Sequence, residues 1–193
     1  DKRETDLWIM NKNGATNRFF LNGSNGKWSP DGKKVAFTKK GEPSGTQIFV
    51  KYLGFEGEPT QITKLEKNPS SMEWSPDGRY IAFIMHVSSE PALIPTKIPK
   101  KPVGAKWTKA PEVIDQVDYS QDRVGFLEKG YDQLFVVPSG GGTPKQITFG
   151  QYDDVSSGIS WSMDSKRIIF SSYQKSEAEY AQGQSNLYSI NIN

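Results

Sequence analysis

Apolar residues along this chain come in short runs, cut at close intervals by clusters of Gly, Pro, Asn and Ser. Leu7-Trp8-Ile9-Met10, Val35-Ala36-Phe37, Gln47-Ile48-Phe49-Val50-Lys51-Tyr52, Ile81-Ala82-Phe83, Leu134-Phe135-Val136-Val137 and Asn186-Leu187-Tyr188-Ser189-Ile190 are rich in aromatic and β-branched residues. Such runs predict strands. No stretch of a dozen residues carries an apolar stripe at helical spacing, so no helix of that length is predicted.

The runs belong to a repeat. Lys27-Trp28-Ser29-Pro30-Asp31-Gly32-Lys33-Lys34-Val35-Ala36-Phe37 recurs as Glu73-Trp74-Ser75-Pro76-Asp77-Gly78-Arg79-Tyr80-Ile81-Ala82-Phe83. A third copy, Ser160-Trp161-Ser162-Met163-Asp164-Ser165-Lys166-Arg167-Ile168-Ile169-Phe170, lacks the Pro and the Gly. The tryptophans stand 46 and then 87 residues apart, and the midpoint of the longer gap holds Tyr119-Ser120-Gln121-Asp122-Arg123-Val124-Gly125-Phe126. Four units, centred on Trp28, Trp74, Tyr119 and Trp161, are therefore expected. Ser29-Pro30-Asp31-Gly32 has the residue order of a type I turn and would join a strand ending near Trp28 to one through Phe37. A third strand at 47–52 and a fourth at 60–63 complete the unit; 134–137 and 145–148 repeat both. Four short strands per unit describe one blade of a β-propeller. The fold class expected is all-β, with about four blades or partial blades of four antiparallel strands, over residues 1–193.

The ends and one interior stretch break the pattern. Leu7–Met10 and Arg18–Leu21 read as a third and fourth strand without a first and second, and a fourth strand is missing after Ile192. Either the chain is a segment of a larger ring, which is the expectation, or its ends pair to close a ring of four. Residues 87–112 carry five of the twelve prolines. Proline cannot donate to a ladder, so an extended insertion is expected where the Trp74 unit should have its outer strands. That blade is completed irregularly, or the Tyr119 unit is out of register.

Composition narrows the partners. With 24 Lys and Arg against 22 Asp and Glu, the net charge is +2, which gives no electrostatic reason for a nucleic-acid or anionic-membrane partner. No apolar run approaches the length of a membrane-spanning helix. There is no cysteine, which excludes disulfides, thiolate metal sites and a cysteine nucleophile and leaves the compartment open. Trp28, Trp74 and Trp161 are expected to fill wedges between neighbouring blades. Asp31, Asp77 and Asp164 would bond amides within their turns, and Gly32 and Gly78 would end two of them. Gly140-Gly141-Gly142 lacks the Lys-Ser/Thr of a phosphate loop and reads as a hairpin turn. Asp153-Asp154 lacks the spacing of a calcium loop. Lys97, Lys100, Lys101, Lys106 and Lys109 around Trp107 read as a solvated loop, one that could dock on a neighbouring domain. No cofactor and no metal is expected, and an incomplete ring would leave edges open to self-association.

The repeat Trp-Ser-Pro-Asp-Gly-x-x-Ile/Val-Ala-Phe, followed by an aromatic strand and Gln-Ile-Thr, resembles that of TolB-like propellers and of serine peptidases of the prolyl oligopeptidase family. The stretch from Pro102 to Asp154, with Val103-Gly104-Ala105-Lys106-Trp107, Asp122-Arg123-Val124-Gly125-Phe126 and Gly141-Gly142-Thr143-Pro144-Lys145-Gln146-Ile147-Thr148, is similar to the propeller of bacterial acylaminoacyl-peptidase or dipeptidyl-peptidase-like enzymes. That resemblance implies a propeller that restricts access to an α/β-hydrolase domain, here lying outside residues 1–193. It further implies short peptides as substrate, and a periplasmic or secreted parent, with the cytoplasm as the alternative. The hydrolase's Gly-x-Ser-x-Gly elbow is absent from the sequence, and His86 is the one histidine. A catalytic triad is thus not expected in this chain. The alternative reading is a TolB-like interaction propeller with no activity. A carbohydrate-active propeller would need clustered carboxylates or histidines, which the sequence does not offer.

Overall fold

The computed structural model describes residues 5–54, 56–89, 100–106, 114, 116–175, 178–180 and 183–192, without the side chains of 154–157 and 179. A hairpin, β1 (Asp6–Met10) and β2 (Asn17–Asn22), opens the chain as a two-stranded sheet of its own. Sheet I follows in simple meander order: β3 (Ser24–Trp28), β4 (Lys34–Lys40), β5 (Thr46–Tyr52) and β6 (Thr60–Gln61).

Sheet II begins with β7 (Pro69–Trp74) and β8 (Tyr80–Ser88). Its outer strands arrive only after residues 89–129, as β11 (Gly130–Pro138) and β12 (Lys145–Gln146). Between them, β9 (Ser120–Gln121) and β10 (Gly125–Phe126) pair only with each other. The Tyr119 segment is therefore not the centre of a blade. Val124-Gly125-Phe126 is too short to span a sheet, whereas all nine residues of β11 match β8 pair for pair, from Gly130↔Ser88 to Pro138↔Tyr80. The strands expected at 134–137 and 145–148 exist, but they complete the Trp74 sheet.

Sheet III has, among the described residues, three strands, β13 (Asp154–Trp161), β14 (Arg167–Ser172) and β15 (Asn186–Asn191), with a 3-10 turn at Ala178–Tyr180 before the last. Among the described residues, β15 and the opening hairpin do not pair. The described residues therefore give no support to the expected alternative of a ring of four closed by pairing of the ends.

Packing follows the two-residue period of the strands. In β8, Ile81 and Phe83 face sheet I with Ala36, Ile48 and Val50, while Ala82 and Ile84 face sheet III with Trp161, Ile168 and Phe170. Sheet II is thus apolar on both faces, and its strands read as continuous hydrophobic runs. The fully buried residues of this stack include Phe37, Phe83, Ile48, Ile81, Leu134 and Ile168. The aromatic pairs Phe37–Phe49, Phe83–Phe135 and Phe170–Tyr188 stack at the same position of successive sheets, with centroids 5.6–5.9 Å apart.

Candidate functional site

The repeat residues build three copies of one turn. In the first, Asp31 Oδ1 accepts from Ser29 Oγ at 2.6 Å and from Lys33 N at 3.1 Å, while Ser29 Oγ accepts from Lys34 N at 2.9 Å. Asp77 does the same with Ser75 Oγ and Arg79 N, and Asp164 with Ser162 Oγ and Lys166 N. Gly32 and Gly78 close their turns at φ 67° and 69°, the left-handed region glycine enters freely. Ser165 takes that position in the third turn at φ 58°. Its buried hydroxyl accepts from Asp77 N at 3.0 Å, so the residue that departs from the repeat ties sheet III to the turn of sheet II.

Hydrogen bonding holds these carboxyls below their ordinary range. Ser29 and Lys33 N lower Asp31, and Ser162 and Lys166 N lower Asp164. For Asp77, burial pushes upward, but bonds from Ser75, Arg79 N and the Arg79 guanidinium outweigh it. All three are fixed anions already committed to donors. A cleft of about 400 Å³ opens between the first two turns, lined by Asp31, Lys34, Asp77, Arg79 and Ser139. Its carboxylates are engaged in their own turns, so it can present charge to a ligand but no free base.

The tryptophans couple neighbouring sheets. Trp74 Nε1 donates to Lys27 O at 3.0 Å and Trp161 Nε1 to Glu73 O at 3.3 Å; the two acceptors are the residues just before Trp28 and Trp74. Both indoles are buried. Trp28 is not: it stands 55% exposed, contrary to the expected wedge. The reason is local. Among the described residues, what precedes it is the two-stranded hairpin β1–β2 and not a full sheet.

Each first strand also carries a bulge that the sequence reading missed. Asn25, Ser71 and Gly158, each three residues before its tryptophan, have φ of 54°, 49° and 110°, and the ladders shift register there. The signal was a small or turn-forming residue at one repeat position. These strands converge: Lys27 pairs with Glu73 across β3 and β7. Beside that pair lies a second cleft of about 460 Å³, bounded by Ser71, Ser160, Ile169, Ser171 and Leu187.

The remaining candidates resolve into structure. His86 Nδ1 lies 3.0 Å from Asp132 Oδ1, across a β8–β11 pair. Its Nε2 is buried without a hydrogen-bond partner, against Gly130. Gly141 N donates to Pro138 O in the β11–β12 turn. Asp153 Oδ1 accepts from Asp132 N at 2.8 Å, and no group of three or more metal-ligating side chains occurs among the described residues. At the root of residues 89–129, Lys67 and Ser88 donate to Glu128 and hold its carboxyl low. Lys100, Lys101 and Lys106 are exposed; Lys97, Trp107 and Lys109 lie outside the described residues.

No protein-family model matches the sequence, and no curated protein matches it. Solved structures do. An acylaminoacyl peptidase in complex with Z-Gly-Gly-Phe-chloromethyl ketone superposes with TM-score 0.66 at 18% identity, over 99% of this chain and 27% of that one. The uncomplexed acylaminoacyl peptidase of Pyrococcus horikoshii gives 0.64 at 19%, over 97% and 26%. TolB from Acinetobacter baumannii gives 0.58 at 17%, over 97% and 35%. The fold is a β-propeller. At these identities the likeness is one of fold, and the propeller segment spans roughly a quarter of the length of the peptidases it resembles.

Proposed function

We propose that this propeller segment is the noncatalytic domain of a serine-type peptidase, of acylaminoacyl- or dipeptidyl-peptidase kind. It would gate and orient short peptides for an α/β-hydrolase domain outside residues 1–193. The observation that carries this reading is a fold likeness extending over 99% of the chain to a peptidase holding a short peptide derivative. The sequence resemblance of residues 102–154 to the same enzymes supports it independently. The chemistry of the chain suits the division of labour. Its turn aspartates are anions committed to donors and its histidine faces Asp132, so these residues suit excluding and orienting a peptide. Excluded volume within the full ring would turn folded proteins away, and the charged Lys27–Glu73 wall would meet a peptide's polar ends.

The test is the coding sequence beyond Asn193. A continuous frame encoding Gly-x-Ser-x-Gly, then Asp, then His is the expected result. A stop codon soon after Asn193 would overturn the peptidase reading. It would leave an interaction propeller of the TolB kind, which the likeness to TolB supports at the level of fold.

A further inference from the structure

The three repeat turns do not meet their neighbours in the same way. Ser165, in the third turn, points its hydroxyl at the second and accepts from Asp77 N at 3.0 Å. Gly78 holds the matching place in the second turn and faces the first, at φ 69° against 58° for Ser165. A Cβ on Gly78 would meet only Pro30 Cδ, at 3.9 Å, next to Asp31. The repeat thus directs residue 78 at Asp31 N as it directs Ser165 at Asp77 N, but glycine brings no oxygen. Among the described residues no acceptor stands on Asp31 N, and the cleft of about 400 Å³ opens there. Its walls are the first two turns and Ser139, all within sheets I and II and away from both ends of the chain.

A cation faces the same space. Lys34 Nζ lies 5.1 Å from the ring centroid of Tyr52 and 5.9 Å from that of Trp74, so two aromatic faces hold the ammonium beside the cleft. Lys34 is half-buried, and no carboxylate among the described residues forms an ion pair with it. The gap between the second and third turns has neither feature: Ser165 fills it, and Tyr80 stands where Lys34 does. Arg79 supplies a second cation at the rim of the cleft, with Nε on Asp77 Oδ2 at 2.8 Å.

Charge sets the kind of ligand. Asp31 and Asp77 line the cleft with Lys34 and Arg79, and the charge of Lys33 acts on Asp31 as well. Three cations against two carboxylates leave a surplus of one positive charge, which a monoanion matches. A phosphate dianion would exceed it and face two fixed carboxylates. A carboxylate would set one oxygen on Asp31 N and the other toward Lys34 Nζ. The volume suits a molecule of amino-acid size. We propose that the cleft between the first two turns is a binding site for a small carboxylate, recognised by Asp31 N and Lys34 and flanked by Pro30 and Pro76. The inference goes beyond the peptidase reading and stands on the turns alone, so either can fail without the other.

The probes are N-acetylalanine and its neutral amide, titrated into the full chain while backbone amide shifts are followed by nuclear magnetic resonance. N-acetylalanine is expected to move the Asp31 amide saturably with a Kd of about 1 mM, and the neutral amide to bind at least about tenfold more weakly. The α-amide of N-acetylaspartate carries its carboxylate on a side chain. Whichever of the two acids binds more tightly identifies the source as a chain terminus or an acidic side chain, and either supports the site. Gly78→Ser, which offers Asp31 N the hydroxyl that Ser165 offers Asp77 N, is expected to weaken binding at least about tenfold, and Lys34→Gln to do the same. Lys34→Gln leaves the turn glycine in place, so the test stands even where Gly78→Ser folds poorly. No shift at Asp31 up to about 100 mM acid overturns the proposal, as do equal binding of acid and amide or unchanged affinity in Lys34→Gln. Tighter binding of inorganic phosphate than of either acid also overturns it.

Discussion

Truncating each repeat tryptophan to alanine should give three unequal costs, and the inequality tests the account of how the sheets are coupled. Trp74 is only 7% exposed. An indole of this kind removes about 200 Å² from water, worth up to about 5 kcal/mol at 25 cal/mol/Å². That figure is an upper bound, because the unfolded chain already hides part of the area. The bond from Trp74 Nε1 to Lys27 O adds about 1 kcal/mol, and its loss leaves that carbonyl without the donor. Trp74→Ala is therefore expected to cost about 3–5 kcal/mol. Trp161, 9% exposed with a longer bond to Glu73 O, should fall close behind. Trp28, with more than half its surface in water, should lose no more than about 2 kcal/mol. Trp74→Phe, which keeps most of the bulk and drops the donor, should cost about 1–2 kcal/mol. Urea unfolding followed by far-ultraviolet circular dichroism measures all four, because the signal does not depend on the tryptophans being removed. Equal slopes are needed before midpoints are compared. A Trp28→Ala cost equal to that of Trp74→Ala would refute the coupling. So would a Trp74→Ala cost below about 1 kcal/mol.

Ser165→Ala should be less stable than Ser165→Gly by about 1 kcal/mol, since both lose the acceptor for Asp77 N but only glycine relaxes at φ 58°. Urea midpoints in the opposite order would refute the strained-latch reading. The turn aspartates predict an acid limb to stability. Their folded-state pKa lies below the unfolded value, so their contribution is fully present above about pH 4 and is lost as pH falls through the folded value. Asp77→Asn should therefore melt below the parent at neutral pH and converge with it as pH falls below the ordinary carboxylate range. Melting curves that stay parallel from neutral to acid pH would show that the charge of Asp77 contributes nothing.

What could be read from the sequence was what is decided locally. Ser-Pro-Asp-Gly specifies its turn through groups within five residues, and the third copy keeps the turn without proline or glycine because Ser162 and Asp164 still supply the bonds. The failure at Tyr119 came from a non-local choice. Trp74 and Trp161 are separated by nearly two repeat lengths, yet among the described residues the interval holds the outer strands of sheet II and only the two-residue strands β9 and β10 besides. Loop closure costs free energy only as the logarithm of length, so β8 can wait for its partner until Gly130 at little penalty. Spacing therefore counted a blade that pairing does not supply. A strand long enough to match β8 residue for residue was the better criterion, and 130–138 met it while 119–126 could not.

The exposure of Trp28 and that of Leu187 share one cause. Within the stack the sheets present two unlike faces: one carries the tryptophan and its indole donor, the other the carbonyl that receives the next indole. Sheet II satisfies both, which is why Trp74 and Leu134 are buried together. Sheet I has only a hairpin before it, and sheet III has nothing described after it, so Trp28 and Leu187 stand in water at opposite ends of one polarity. A single chain's sequence encodes that polarity in each repeat. Which repeats find their complement is decided by what lies on either side, and local pattern carries no record of it.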